Sequence, residues 1–307
     1  MSHEHDGHDH DHGHGHGLHH HHHASGRIGV AFALNLSFTL IELVGAWLTN
    51  STAIAADAVH DLGDSLALAF AWGMEGVSGR RPTKAYTYGF RRLSLVGALV
   101  NVVVLLVGSV LVLVESVPRL FDPPVPDARG MLALAVLGVA VNGAAVWRLR
   151  SGSTLNERVI TWHLLEDVLG WLAVLVVSVV MLFAHVPVLD PLLSVLIAVW
   201  IGVNAFRNLL RTVDVFLQAV PGEVDLDALR ARARSVAGVR ELRHVHVWSQ
   251  EGEHHVLTGQ LLVEGEDLRE ALALRDRVRQ ALEQEGIDHV TLELAVDADC
   301  PWSDCPS

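Results

Sequence analysis

Apolar residues form six long blocks along the chain, and polar residues are concentrated at its two ends. Each block is near or above the about 20 residues that a helix needs to cross a lipid bilayer. Charged residues make up only 19% of the chain, against about 25% in an average soluble domain. The pattern predicts six membrane-spanning helices within residues 27–212, at about Ile28–Leu48, Ala53–Val77, Leu93–Val117, Ala128–Arg148, Asn156–Ala184 and Val188–Leu210.

Basic residues in the short loops predict how these helices are oriented. Five of them lie between the second and third helices, and further arginines lie between the fourth and fifth helices and at the end of the sixth. The alternate loops carry fewer basic residues. Because basic loops stay on the cytoplasmic side, we expect a multi-pass protein of the cell (inner) membrane with both termini in the cytoplasm.

Residues 1–26 form a separate polar segment. Twelve of the 20 histidines lie in its first 23 residues, mostly beside glycine and aspartate. This composition cannot bury a core, so we predict a disordered cytoplasmic tail that captures divalent metal with low affinity. A purification tag would explain His19–His23 but not the alternating HDGHDHDHGHGHG before it. The segment also lacks the basic start of a cleavable signal peptide.

Residues 213–307 have the composition of a small soluble domain. EVDLDALRARARSVAG has helical spacing, VRELRHVHVW alternates as a strand does, and HHVLTGQLLVEG can form its hairpin partner. A second helix before Gly286 and the strand IDHVTLELAV complete the order α-β-β-α-β. The pattern predicts a small α+β domain with a loose end that carries Cys300 and Cys305.

Ionisable side chains interrupt the second and fifth apolar blocks at matching positions. His60 and Asp64 are one helical turn apart, and so are His163 and Asp167, so each pair shares a helix face. An ionised group at bilayer depth costs roughly 2.5–3.5 kcal/mol, and a bound cation offsets that cost. Two imidazoles and two carboxylates are the ligand set of a tetrahedral zinc site. The alternative is a soluble amphipathic helix whose histidine and aspartates face water.

Three more acids accompany these pairs. Asp57 lies one turn before His60 on nearly the same face. Glu42, in the first block, is expected to be buried inside the bundle, as acids in membrane helices nearly always are. Glu166 points about 100° away from Asp167 on a regular helix. It is therefore a weaker candidate ligand than Asp167.

Five stretches in order resemble the cation diffusion facilitator family, in particular its zinc-transporting bacterial members, over about residues 28–295. They are ADAVHDLGDSLAL, TYGFRR followed by LVGALVN, HLLEDVLG, DPLLSVLIAVWI, and VRELRHVHVW followed by GQLLVE. The resemblance implies a homodimer that exports metal from the cytoplasm in exchange for protons, and not an enzyme. It implies a transport site of His60, Asp64, His163 and Asp167. It also implies a ferredoxin-like, metallochaperone-like fold for the cytoplasmic domain.

The resemblance also bears on the choice of metal. The family's manganese exporters carry aspartates at the two histidine positions, so His60 and His163 favour zinc, with cadmium and cobalt as further substrates. Arg243 and Gln260 replace residues that bind accessory metal in the cytoplasmic domain of other members. Whether that domain binds accessory zinc stays open, because five histidines remain in it: His244, His246, His254, His255 and His289.

Two other classes of function are alternatives to transport. An intramembrane zinc enzyme would need a metal-bound water and a base such as Glu166, but the chain has no HExxH motif. A membrane metal sensor or buffer would depend on residues 1–23, whose deletion would leave a transporter active. The formal net charge of −13 excludes a generally basic nucleic-acid binder.

Overall fold

The computed structural model describes residues 21–78, 82–149, 155–264 and 267–295. Six long helices are present where six were predicted. They are α1 (His21–Thr49), α2 (Thr52–Ser78), α3 (Leu93–Arg119), α4 (Ala128–Leu149), α5 (Leu155–Ala184) and α6 (Leu189–Phe216). Most ends agree with the predicted bounds to within two residues. The exceptions are α1, which begins at His21 rather than Ile28, and α6, which ends at Phe216 rather than Leu210. The prediction of a disordered tail is therefore wrong for residues 21–26, which form the first turns of α1.

Five helices in the described part of the chain are long and apolar enough to cross a membrane, namely α1, α3, α4, α5 and α6. The exception, α2, has the required length, but Asp57, Asp61 and Asp64 interrupt its apolar sequence. This helix packs against α1, α3, α5 and α6. Other helices therefore surround most of α2, and its acids lie inside the bundle.

The two ends of the bundle differ. At one end, here called the proximal end, α6 leads into the C-terminal domain and α3 begins. At the opposite, distal end, α2 and α6 begin side by side, and the backbone N–H of Asp127 donates to the carbonyl of Thr49 at 2.9 Å.

Asp190, at the start of α6, caps the distal start of α2. It is 2% exposed. Ser51 Oγ donates to its Oδ1 at 2.5 Å, while the N–H and hydroxyl of Thr52 donate to its Oδ2 at 2.8 and 3.0 Å. The N–H of Ala53 donates to Oδ1 at 3.3 Å. The first N–H groups of a helix have no partner within the helix, so one carboxylate from a neighbouring helix satisfies them.

Two buried serines extend this contact to α3. Ser194 Oγ donates to the carbonyl of Thr52 at 2.8 Å. Ser116 Oγ lies 2.8 Å from Ser194 Oγ, and because the Ser194 proton is already used, Ser116 donates. The starts of α2 and α6 and the end of α3 are thereby joined through polar groups that are shielded from solvent.

Close packing of α4 on α5 depends on Gly138. Trp171 of α5 is 1% exposed and lies in a core with Ile54 and Met131. A Cβ atom at Gly138 would overlap the indole ring of Trp171. Absence of a side chain at this position is what allows the two helices to approach.

We expect Gly138→Ala to lower the free energy of unfolding by about 1–3 kcal/mol, the usual cost of an overfilled core. Thermal unfolding of the detergent-solubilised protein measures the change. Gly143→Ala is the matched control, since it lies on the same helix and a Cβ there meets no atom within 4 Å. Equal melting temperatures for the two variants would contradict the packing argument.

The C-terminal domain has the predicted order of elements. It consists of α7 (Leu226–Arg234), β1 (Val239–Ser249), β2 (His255–Val263), α8 (Leu268–Glu283) and β3 (His289–Ala295). The strands form one sheet in the order β1-β2-β3, with β1 antiparallel and β3 parallel to β2. A core of Leu242, Leu257, Leu261 and Leu282 holds the helices on the sheet. Residues 1–20, Cys300 and Cys305 lie outside the described residues.

Candidate metal site

Three of the four predicted ligands meet in the middle of the membrane domain. His60 and Asp64 lie on α2, and Asp167 lies on α5. His60 Nε2 is 3.9 Å from Asp64 Oδ2 and 3.6 Å from Asp167 Oδ1. One ligand atom from each residue lies within 4.8 Å of the others. The fourth candidate, His163, belongs to α5, but its side chain lies outside the described residues.

The spacing of these atoms fits a small divalent ion. Zinc bonds of about 2.0–2.1 Å place neighbouring tetrahedral ligands about 3.3–3.4 Å apart, slightly closer than the distances from His60 Nε2. The side chains of His60 and Asp64 are 26% and 23% exposed, and that of Asp167 is 10% exposed. The site is thus shielded by protein and still reachable from one side.

Further acids concentrate negative charge next to this group. Glu42 is fully buried, as predicted, and Asp57 and Asp61 are buried on α2. Asn35 of α1 donates to the carbonyl of Asp61 and to Ser65 Oγ, both at 3.0 Å. Buried carboxylates are tolerated when they are paired or coordinate a cation, so this arrangement favours a cation at His60.

A cavity of about 680 Å³ connects the site with the proximal end of the bundle. His60, Asp64 and Asp167 line it, together with α6 from Leu196 to Arg211. Because a helix rises about 1.5 Å per residue, that wall is about 22 Å long. Polar side chains are spread along the cavity, namely Asn101, Glu166, Asn204, Arg207, Asn208 and Arg211.

The distal side of the site is closed. Ala53, Ile54 and Ala56, which precede His60 on α2, are at most 1% exposed. Beyond them lies the polar contact around Asp190. An ion at His60 would therefore reach solvent through the proximal cavity in this conformation.

Sequence reasoning missed two parts of this region. One is the Asp190 cap, whose partners are far away in the chain. The other is the amide lining of the cavity, although Asn204 and Asn208 are one turn apart in an apolar block. That spacing is the same signal that identified the two HxxxD pairs.

The histidines of the C-terminal domain contact different partners. His244 and His246 lie with their Nε2 atoms 3.2 Å apart at an irregularity of β1, where His244 has a φ of 50°. His254 pairs with Glu251, and His255 Nε2 lies 3.1 Å from Glu223 Oε1. Within the described residues, the only group of three metal-ligating atoms with close spacing is the one at His60.

Gln260 and Arg243 are the residues predicted to replace accessory metal ligands. Gln260 Nε2 donates to Glu293 Oε2 at 2.9 Å. The amide therefore forms a polar contact with β3 at this position. These contacts leave open whether the domain binds accessory zinc.

The fold and the site together define an integral membrane protein with a candidate cation site among its helices. Residues 28–217 match the family model of the cation efflux transmembrane domain, and residues 221–299 match that of the cation efflux protein cytoplasmic domain, a dimerisation domain. The chain belongs to the cation efflux family, which confirms the resemblance and agrees with the predicted homodimer. The family consists of transporters, so an intramembrane zinc enzyme is excluded.

Relatives of known name cover most of the chain. The zinc transporter ZitB of Escherichia coli (strain K12) is 33% identical over 284 residues, which are 91% of this chain and 90% of the relative. The ZitB of Yersinia pseudotuberculosis is 35% identical over 238 residues, 76% of each chain. A cadmium, cobalt and zinc/H(+)-K(+) antiporter of Bacillus subtilis is 24% identical over 274 residues, 88% of each chain.

Proposed function

We propose that the protein exports zinc from the cytoplasm in exchange for protons, with cadmium and cobalt as further substrates. The observation that carries the proposal is the meeting of His60, Asp64 and Asp167 at the inner end of the proximal cavity. His163, one turn before Asp167 on α5, supplies the fourth ligand. Zinc is the transported substrate, and the names of the relatives agree with this choice of metal.

Ligand chemistry couples zinc to protons. Zinc binds neutral imidazole and ionised carboxylate, so zinc and protons compete for the same groups. Histidine titrates near neutral pH in the absence of perturbation. Protons arriving from a more acidic outer side displace zinc, and zinc arriving from the cytoplasm displaces protons.

The shape of the bundle fits a state that is open to the cytoplasm. The positive-inside rule places the basic loop before α3, and with it the proximal end, on the cytoplasmic side of the inner membrane. All six helices then span the membrane, and both chain ends are cytoplasmic. Transport further requires that the site becomes exposed on the distal side, with α2 and α5 moving together because both hold the ion.

The two terminal segments have supporting roles in transport. The histidine-rich tail of residues 1–26 raises the local concentration of zinc, with low affinity at each histidine. The C-terminal domain, residues 213–307, adopts a ferredoxin-like arrangement and holds two copies together in the homodimer. Accessory zinc on the tail or on this domain would supplement the transport site without replacing it.

Zinc flux in proteoliposomes with an imposed proton gradient tests the proposal. Flux is expected in the wild-type protein, and it is expected to stop when a protonophore removes the gradient. The double substitution His60→Ala and His163→Ala should abolish it, while deletion of residues 1–23 should only reduce its efficiency. Gradient-driven zinc flux that persists in the double variant would overturn the proposal.

A further inference from the structure

We propose that the junction between the membrane domain and the C-terminal domain binds the phosphate headgroup of an anionic phospholipid. The site consists of Arg91, Arg92 and the aromatic cavity beside them. It is separate from the metal site and is not used by the transport chemistry.

The cavity has a volume of about 510 Å³, within the range of about 300–1,000 Å³ that is typical of small-ligand sites. It lies where α3 begins, α6 ends and β1 of the C-terminal domain approaches both. Its walls combine the two arginines with aromatic side chains, and no acidic residue lines it. The aromatic residues are Tyr86, Tyr88, Phe90, Phe216 and Trp248.

The two arginines have no partner of opposite charge. Both are exposed, and in the described part of the chain neither side chain forms an ion pair or hydrogen bond. They belong to a segment, residues 80–114, that contains five basic residues and no acid. In a chain with a net charge of −13, this local excess of positive charge selects an anion.

The position of the arginines selects a lipid as the source of that anion. The apolar sequence of α3 begins at Leu93, directly after Arg92, so both guanidinium groups lie near the level of lipid headgroups. Basic pockets at this level bind the phosphates of anionic lipids. Leu93, Val96 and Phe216 continue the cavity wall along the helices, which suits an acyl chain and offers nothing to free phosphate.

A lipid at this site would bridge the two domains. The ring of Tyr88 packs edge-on against His289 of β3, with centroids 5.7 Å apart. Tyr86 packs against Phe90 at 4.7 Å. The loop that carries the arginines therefore already contacts the C-terminal domain, and a bound headgroup would fix it there.

Titration of the full-length protein in detergent with phosphatidylglycerol, phosphatidylcholine or inorganic phosphate tests the proposal through the melting temperature. Phosphatidylglycerol is expected to raise the melting temperature with saturation, and the other two are not. Each arginine should contribute about fivefold in affinity, so Arg91→Gln with Arg92→Gln should raise the half-saturating concentration about 25-fold. The matched control is Arg129→Gln, an exposed arginine at the distal end.

Three results would overturn the proposal. They are an unchanged titration in the double variant, an equal response to phosphatidylcholine, and a full response to inorganic phosphate alone. If the double variant does not fold, Arg92→Gln alone retains one arginine and should still shift the titration about fivefold. An unshifted titration in that variant would equally exclude the site.

Discussion

Replacing Asp167 with asparagine is expected to abolish zinc flux and to weaken zinc binding by about two orders of magnitude. Asp167 Oδ1 lies 3.6 Å from His60 Nε2, and asparagine keeps the shape of the side chain while removing its charge. A closed zinc site contributes about 10–16 kcal/mol in total, so one ligand of four is worth about 3 kcal/mol, or about 150-fold in affinity. Asp64→Asn is expected to act in the same way.

Zinc binding by calorimetry and zinc flux in proteoliposomes measure the two effects separately. Asp122→Asn is the matched control, because Asp122 is an exposed acid in the loop at the distal end. Wild-type affinity and flux in both Asp64→Asn and Asp167→Asn would mean that the HxxxD pairs are structural. The ligand assignment would then have to be withdrawn.

Asp190→Ala is expected to lower the melting temperature by about 5–10 °C. The substitution removes an acceptor from Ser51, Thr52 and Ala53 at a place where water does not replace it. Hydrogen bonds to a charged group are worth about 1.5–3 kcal/mol each, and each stranded donor adds to the cost. A combined loss of at least about 3 kcal/mol corresponds to that change in melting temperature.

Thermal unfolding in detergent provides the measurement, with Asp122→Ala as the control for loss of an acid at the same end of the bundle. Asp190→Asn should give an intermediate result, since asparagine still offers one oxygen to the start of α2. A melting temperature of Asp190→Ala equal to that of the control would show that the cap contributes nothing to stability.

The helix bounds show what periodicity can and cannot predict. The pattern predicts the end of α6 at Leu210, just before the composition changes at about Thr212. Arg211, Thr212 and Val213 do not break a helix, however, and α6 continues to Phe216, just before Gln218 with its positive φ of 58°. The helix ends just before a residue with a left-handed backbone conformation, and a change in polarity along the sequence does not predict that position.

The site, too, has parts that local sequence patterns predict and parts that they do not. His60 with Asp64 was predictable because two residues one turn apart share a helix face whatever their surroundings. The meeting of α2 with α5 was inferable only from the repetition of the motif. Asp190 was unpredictable as a cap, because its partners lie more than 130 positions away and no local pattern joins them.

The acids of α2 also constrain how the chain enters the membrane during synthesis. Three ionised aspartates at bilayer depth would cost about 8–10 kcal/mol, so α2 alone is a poor candidate for insertion. Its first partner, α1, has already been made, and Asn35 contacts Asp61 and Ser65 across the pair. The helices that surround its other faces are synthesised later. We therefore expect α1 and α2 to enter as a hairpin whose acids are fully sheltered only when α5 and α6 arrive.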